Sequence, residues 1–234
     1  MAAVTLLSAR GLTRHFGGLK AVDGVDFDLA RGEIHALIGP NGAGKTTFVG
    51  LLSGRIPVQS GTITFDGADI TRMPAHDRVR RGIAYTFQIT AIYPRLPVWD
   101  NALIAAHGDA ARAAGALDRV GLGPEAAREA GTLAYGHQRL LEVAMGLALS
   151  PRLLILDEPT QGLAASEIGA FKALVQSLVP EVSILLIEHN MDVVMDLADR
   201  ITVLNFGQRL ATGTPAAIRA DPAVQAAYLG ADHA

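Results

Sequence analysis

Short apolar runs and longer helical patterns alternate along most of the chain. Runs rich in Val, Ile and Leu predict strands at residues 22–30, 33–39, 62–67, 83–88, 152–156 and 182–188. Two of these runs, 152–156 and 182–188, are almost wholly apolar, which is typical of strands covered on both faces. Residues 200–207 and 208–213 predict a closing hairpin. In the first strand, the positions that we expect to be buried are Val22, Val25, Phe27 and Leu29.

Helical patterns fall between the strands, at residues 45–53, 137–149, 166–179 and 190–198. In the second of these patterns the apolar residues recur at helical spacing, and Pro151 marks its end. Strands that alternate with helices favour a mainly parallel sheet with helices on both faces. The predicted fold class is therefore α/β.

Residues 89–135 break this alternation. They contain no run typical of a strand, and they hold an Ala-rich stretch from Ala102 to Ala116. A flexible linker is one interpretation of such a stretch, but the high helix propensity of alanine favours a small helical insert.

The segment Gly39-Pro40-Asn41-Gly42-Ala43-Gly44-Lys45-Thr46, here called the phosphate loop, carries the strongest chemical signal. It matches the pattern G-x-x-x-x-G-K-[ST] between a predicted strand and a predicted helix. Its glycines let backbone N–H groups point at an anion, and the helix adds the positive end of its dipole. Lys45 can supply a charge to the β and γ phosphates, and Thr46 can hold Mg²⁺. We predict that this loop, with Thr47, binds ATP; a glycine-rich turn without a ligand is the alternative.

Asp157 and Glu158 follow directly after the apolar run 152–156. Burying two carboxylates without partners costs several kcal/mol, and a bound nucleotide with its metal would provide the partner. Asp157 is predicted to bind Mg²⁺ through water, and Glu158 to orient or deprotonate the attacking water. The plainer interpretation is an acidic turn at the end of a strand.

Together, these two motifs resemble the ATP-binding cassette (ABC) family, and the resemblance extends over nearly the whole chain. It implies a RecA-like P-loop NTPase core with a mainly parallel sheet, an N-terminal antiparallel β portion and a small α-helical insert. The chain, 1–234, would be one domain, in which residues 1–88 and 140–234 form the core. Residues 89–139 would form the insert, with the family signature at its end. The cofactors implied are ATP and Mg²⁺.

The resemblance also assigns roles to single residues. Gln88 is similar to the glutamine that senses Mg²⁺ and the attacking water and that links to a transmembrane partner. His189 resembles the histidine that contacts the γ-phosphate, and Phe16 resembles the aromatic residue that stacks on adenine. Taken alone, Gln88 could end a strand, His189 could be a cap and Phe16 could be core. The signature residues expected to contact nucleotide are Ala134, Tyr135, Gly136 and His137.

In this family, two cassettes meet head to tail around two ATP molecules, and each signature faces the other cassette's phosphate loop. Ala134 stands where the signature normally carries Ser, and His137 replaces a usual Gln. Ala164 stands where an Asp or Asn usually reaches across the dimer. We therefore expect a second ABC ATPase subunit as partner, and we favour an asymmetric heterodimer over a homodimer.

The segment from Ile184 to Pro215, together with Phe16-Gly17-Gly18, resembles ATP-binding subunits of branched-chain amino acid importers. The function implied is ATP hydrolysis that powers such an importer through transmembrane permease subunits. A periplasmic solute-binding protein would be an indirect partner. The alternatives are an importer of urea or short amides, a lipopolysaccharide-export ATPase and a non-transport or regulatory ABC ATPase.

Composition narrows the setting in which this function would operate. The 234 residues include no cysteine, which excludes disulfides and thiolate metal sites. The formal net charge of −3 argues against a nucleic-acid partner. No apolar run reaches the ~20 residues that a membrane span needs, and the first residues do not resemble a signal peptide. We expect a peripheral protein on the cytoplasmic side of the inner membrane.

Overall fold

Two sheets organise the chain, and the computed structural model describes residues 4–86 and 91–229. The antiparallel sheet contains β1 (Thr5–Phe16), β2 (Leu19–Ala30), β4 (Ser60–Phe65) and β5 (Ala68–Asp69), in the order β2-β1-β4-β5. The central sheet contains β3 (Ile34–Ile38), β6 (Ile83–Thr86), β7 (Leu153–Asp157), β8 (Ser183–Ile187), β9 (Arg200–Asn205) and β10 (Gln208–Gly213). Its order is β10-β9-β3-β8-β7-β6, with every neighbouring pair parallel except β9 and β10.

The helices connect these strands and cover both faces of the central sheet. They are α1 (Lys45–Ser53), α2 (Ala75–Arg80), α3 (Val98–Ala105), α4 (Ala110–Arg119), α5 (Tyr135–Ala148), α6 (Ala165–Leu178), α7 (Met191–Leu197), α8 (Pro215–Ala220) and α9 (Pro222–Leu229). Short 3-10 turns lie at Gly123–Glu125 and Ala130–Thr132. Among the described residues, no helix is both long and apolar enough to cross a bilayer.

Alternate side chains of β7 enter two different cores. Leu153 and Ile155 pack with α1 and the antiparallel sheet, whereas Leu154 and Leu156 pack with α5 and α6. Both faces of the strand are therefore buried, which explains why its sequence is continuously apolar. The predicted α/β class is confirmed, and Val22, Val25, Phe27 and Leu29 are buried as expected.

The order of the strands places the chemistry at one edge of the sheet. β8 lies between β3, which leads into the phosphate loop, and β7, which leads into Asp157 and Glu158. Because the three strands are parallel, their carboxyl ends meet at the same edge, where open α/β sheets bind ligands.

The pattern of polar and apolar residues did not predict β1 as a strand. Its pairings with β2 and β4 contain several register shifts, and buried residues therefore do not alternate regularly along it. The short elements β5, α2, α8 and α9 were not predicted either. The strand predicted at 83–88 is described as far as Thr86, and Gln88 lies outside the described residues.

The Ala-rich stretch forms helices and not a linker. α3 and α4 are separated by a turn in which His107 and Gly108 both have positive φ, and both helices pack on α5. The boundaries of the insert at residues 89 and 139 stay a prediction, because the helices form one continuous core with the central sheet.

Candidate nucleotide site

The phosphate loop joins β3 to α1 in a conformation that requires glycine. Gly44 has φ of 98°, and a Cβ atom there would collide with the carbonyl oxygen of Ala21. Gly39 is similarly confined by the carbonyl of Leu204. At both positions the backbone of the loop is packed directly against a neighbouring backbone carbonyl, which leaves no room for a side chain.

A turn that the sequence did not single out supports the loop from outside. The N–H of Gly207, between β9 and β10, donates to the carbonyl of Ala43 at 3.0 Å. The carbonyl of Gly207 accepts the N–H of Asp23 at 2.8 Å. The sequence predicted the hairpin at 200–213 that contains this turn. It did not predict that the turn contacts the phosphate loop.

Lys45 begins α1 and is buried. Its ammonium donates to the carbonyls of Gly39 at 2.6 Å and Pro40 at 3.1 Å. Burial lowers the pKa of Lys45 below its usual range, while the negative charges of Glu158 and Asp157 act in the opposite direction. An anion bound beside the amine would offset the cost of its burial.

A surface depression of about 350 Å³ lies over the phosphate loop. It brings together seven residues of the loop and the start of α1 with the carboxylate of Glu158 and the imidazole of His189, whereas Asp157 is not among its lining residues. Its lining residues are Leu19, Ala21, Asn41, Gly42, Ala43, Gly44, Lys45, Thr46, Thr47, Glu158 and His189. Leu19 and Ala21 were not predicted to take part.

Asp157 ends β7 as a buried carboxylate. The hydroxyl of Tyr85, on the neighbouring strand β6, donates a short hydrogen bond to its Oδ2. Burial raises the pKa of Asp157, and the bond from Tyr85 opposes this shift. Burial and the bond to Asp157 also raise the pKa of Tyr85, whose ring lies 3.7 Å from the guanidinium carbon of Arg55. Sequence reasoning missed Tyr85 because only strand pairing brings it to Asp157.

Glu158 adopts a backbone conformation that is rare for a residue with a side chain, with φ of 48°. Its N–H donates to the carbonyl of Ile187 at 2.8 Å, which ties the end of β7 to β8. Its Oε1 lies 2.7 Å from Nε2 of His189. Strained conformations of this kind are concentrated at functional sites, where surrounding contacts hold them in place.

The signature residues do not line this depression. Ala134 is the N-cap of α5 and has no side-chain acceptor for the free N–H groups of the helix. Gly136 lies against the carboxylate of Glu167, and a Cβ atom at position 136 would collide with that carboxylate. Gly136 and His137 line a different cavity, between α5 and α6. The ring of Tyr135 packs against Gly162.

Two further predicted residues lie at the margin of the site. Phe16 is 44% exposed, and the guanidinium carbon of Arg14 lies 4.8 Å from its ring centroid. Its cross-strand neighbour Leu19, and not Phe16 itself, lines the depression. Ala164 is the exposed N-cap of α6, and its N–H donates to Glu167 at 2.7 Å.

Comparison with protein families gives two matches. A family model described as ABC transporter matches residues 22–161. A second model, described as branched-chain amino acid ATP-binding cassette transporter, matches residues 208–234.

Curated relatives match over most of the chain. The high-affinity branched-chain amino acid transport ATP-binding protein BraF of Pseudomonas aeruginosa is 41% identical, over 96% of this chain and 98% of its own length. LivG of Escherichia coli, named in the same words, is 40% identical with the same coverage. The ribose import ATP-binding protein RbsA of a Chelativorans species is 40% identical, over 86% of this chain but 42% of its own length.

Solved structures of ATP-binding cassettes match this chain closely in fold. The ADP conformation of an ATP-binding cassette of an ABC transporter has a TM-score of 0.91 and 27% identity, and covers 97% of this chain and 99% of its own. A nucleotide-free cassette has a TM-score of 0.90 and 26% identity, with 96% and 99% covered. With the phosphate loop, the paired carboxylates and these relatives in agreement, this chain belongs to the ABC transporter family, as an ATP-hydrolysing cassette.

Proposed function

We propose that this chain is the ATP-hydrolysing subunit of an importer for branched-chain amino acids. The observation that carries the proposal is similarity along nearly the whole chain, since BraF and LivG align over 96% of this chain and 98% of their own lengths. The match at residues 208–234 supports it, because this segment lies beyond the cassette region matched at 22–161. The ribose relative aligns over less than half of its own length, which favours the branched-chain group.

The residues of the depression, together with Asp157 and Phe16, would supply each part of ATP chemistry. Residues 39–47 would hold the phosphates through backbone N–H groups and the ammonium of Lys45. That ammonium donates to two carbonyls of its own loop, and ionised phosphate oxygens are stronger acceptors than these carbonyls. Binding would therefore turn Lys45 from its own loop towards the phosphates. Phe16, with Leu19, would cover the base.

Mg²⁺ fits the donor atoms present. Thr46 and Asp157 offer a hydroxyl and a carboxylate, which are the hard oxygen ligands that this ion prefers. Tyr85 holds one carboxylate oxygen of Asp157 and so fixes its orientation. Bound Mg²⁺ would neutralise charge on the phosphate oxygens. Gln88, the third proposed ligand, lies outside the described residues.

Glu158 would orient or deprotonate the attacking water, and His189 would contact the γ-phosphate. Their side chains lie 2.7 Å apart at the edge of the depression, which is hydrogen-bond distance. The imidazole can therefore hold the carboxylate in place as well as contact the phosphate. A carboxylate fixed in this way needs little reorganisation when the reaction begins.

The separation of the signature from the phosphate loop supports a site completed by a second cassette. The start of α5 presents exposed residues Ala134, Tyr135 and His137, which could meet the ATP held by that partner. Permease subunits would dock near Gln88 and the insert, on the cytoplasmic side of the membrane. A periplasmic solute-binding protein would deliver the solute to them.

The test of this proposal is transport. The chain would be reconstituted in proteoliposomes with its permease subunits, second cassette and solute-binding protein. We expect ATP-dependent uptake of leucine, isoleucine and valine that is lost with Lys45→Ala. Uptake of urea, an amide or another solute in place of these amino acids would refute the assignment of the solute.

We further propose that the two ATP sites of the assembly are unequal. Ala134 and Ala164 cannot make side-chain hydrogen bonds to the partner's site, and losing one charged bond costs about 1.5–3 kcal/mol. Glu158→Gln in this chain should therefore reduce turnover more than the matching change in the partner cassette. Equal losses from the two single changes would contradict the asymmetry.

A further inference from the structure

A buried carboxylate beside the depression has no role in the chemistry described so far. Glu188 follows β8 directly and is only 4% exposed. It accepts hydrogen bonds from two loops, namely residues 158–164 after β7 and residues 188–190 after β8. A buried ionised group with several donors is held firmly, because any movement would leave charge and donors unpaired.

Each carboxylate oxygen of Glu188 serves a different loop. Oε1 accepts the N–H of Thr160 at 2.9 Å and also its hydroxyl. Oε2 accepts the N–H of His189 at 3.0 Å and that of Asn190 at 3.2 Å. The position of one loop therefore depends on the position of the other, through a single side chain.

These two loops carry the residues that meet at the edge of the depression. Thr160 is two residues from Glu158, and His189 adjoins Glu188 in sequence. The contact between Glu158 and His189 joins the same two loops a second time, from the exposed side. The side chain of Asn190 then caps α7 by accepting hydrogen bonds from two N–H groups of its first turn, which anchors this loop to the helix.

We propose that Glu188 is a positioning residue that fixes the carboxylate of Glu158 and the imidazole of His189 relative to each other during ATP hydrolysis. The proposal rests on the roles proposed above for Glu158 and His189, and it is independent of the solute. Glu188 touches neither nucleotide nor water in this role. It acts only through the backbone and the hydroxyl of the two loops.

Glu188→Gln tests this role sharply because it keeps the size of the side chain. An amide has one acceptor oxygen and an NH₂ group, so whichever way it turns, one loop meets a donor in place of an acceptor. Displacement of a reacting group by roughly 1 Å costs on the order of 100-fold in rate. We expect kcat for ATP hydrolysis in the assembled transporter to fall by about that factor.

The Kd for nucleotide distinguishes a positioning role of Glu188 from general damage to the fold. The phosphate loop makes none of the hydrogen bonds of Glu188 described here, so the Kd of the full chain for a fluorescent ADP analogue, which lacks the γ-phosphate that His189 would contact, should stay within about threefold. Ser183→Ala is the matched control. Its hydroxyl lies at the opposite end of β8, is buried, and accepts the N–H of Gly32 at 2.8 Å. This change should lower Tm without changing kcat.

Thr160→Val gives a second test if Glu188→Gln does not fold. It removes only the hydroxyl bond to Oε1, and we expect kcat to fall about tenfold with Kd unchanged. The proposal is overturned if kcat in a folded Glu188→Gln variant stays within about threefold of wild type, or if Kd weakens in parallel with kcat. Unchanged kcat in Thr160→Val would also overturn it. If the wild type hydrolyses ATP but does not import branched-chain amino acids, the assignment of the solute fails while this comparison still holds.

Discussion

The hydroxyl of Tyr85 is a single atom whose removal can be predicted in magnitude and in pH dependence. It donates to Oδ2 of the buried Asp157, across strands β6 and β7. Tyr85→Phe removes this hydroxyl and keeps the ring, together with its contact with Arg55. The change therefore leaves a buried carboxylate short of one donor, and it also removes the interaction of the hydroxyl with Arg55.

The cost follows from the charge on the acceptor. A hydrogen bond to an ionised group contributes about 1.5–3 kcal/mol, and a bond to a neutral group contributes about 0.5–1.5 kcal/mol. For a protein of this size, 1 kcal/mol corresponds to roughly 2–4 °C in Tm. At pH values where Asp157 is ionised, we therefore expect Tyr85→Phe to lower Tm by about 3–12 °C.

The cost should also depend on pH. Burial raises the pKa of Asp157 in the folded protein, so the folded state holds a proton at pH values where the unfolded state has lost it. This group therefore lowers stability as pH rises from its usual pKa through the raised one. The bond from Tyr85 favours the ionised form and reduces that loss. The cost of Tyr85→Phe should be largest above the raised pKa and should shrink as Asp157 becomes protonated.

Urea unfolding at a series of pH values, from about 8 down towards the usual pKa of an aspartate, measures both parts of this prediction. Tyr93→Phe is the matched control, because its side chain is 50% exposed and the change should have little effect at either pH. A cost below about 0.5 kcal/mol, or a cost that grows as pH falls, would refute the reasoning.

Three further changes probe the phosphate loop and the signature. Lys45→Ala should abolish ATP hydrolysis while urea unfolding stays cooperative; normal ATPase activity would rule out this site. Gly44→Ala should weaken nucleotide binding and lower the free energy of unfolding by more than about 1 kcal/mol, because Gly44 has a left-handed backbone and the added carbon meets the carbonyl of Ala21. Gly67→Ala is the control, since Gly67 also has positive φ but has open space around it. Ala134→Ser should stabilise the chain by about 1 kcal/mol by capping α5, measured as an increase in urea midpoint, and should raise turnover at the partner's site. An unchanged midpoint would contradict the capping argument.

The chemistry of the site could be read from the sequence because it is local. The glycines, Lys45 and Thr46 of the phosphate loop are consecutive, and Asp157 and Glu158 end a run whose apolar residues are buried on both faces. Family resemblance predicted that His189 contacts the γ-phosphate, but its contact with Glu158, across 30 intervening residues, was not predicted. The lengths of most strands and of α1 also follow from local patterns.

Only the tertiary structure decided which groups support these residues. Tyr85 and Asp157 are 72 positions apart, Thr160 and Glu188 are 28 apart, and the turn at Gly207 meets the phosphate loop from the far end of the chain. Each contact depends on the order of strands in the central sheet, with β8 between β3 and β7. A strand's own pattern shows that both of its faces are buried but does not show which strand lies beside it. The packing of the whole sheet determines which strands are neighbours. The residues that support the site can therefore be identified only from the folded structure.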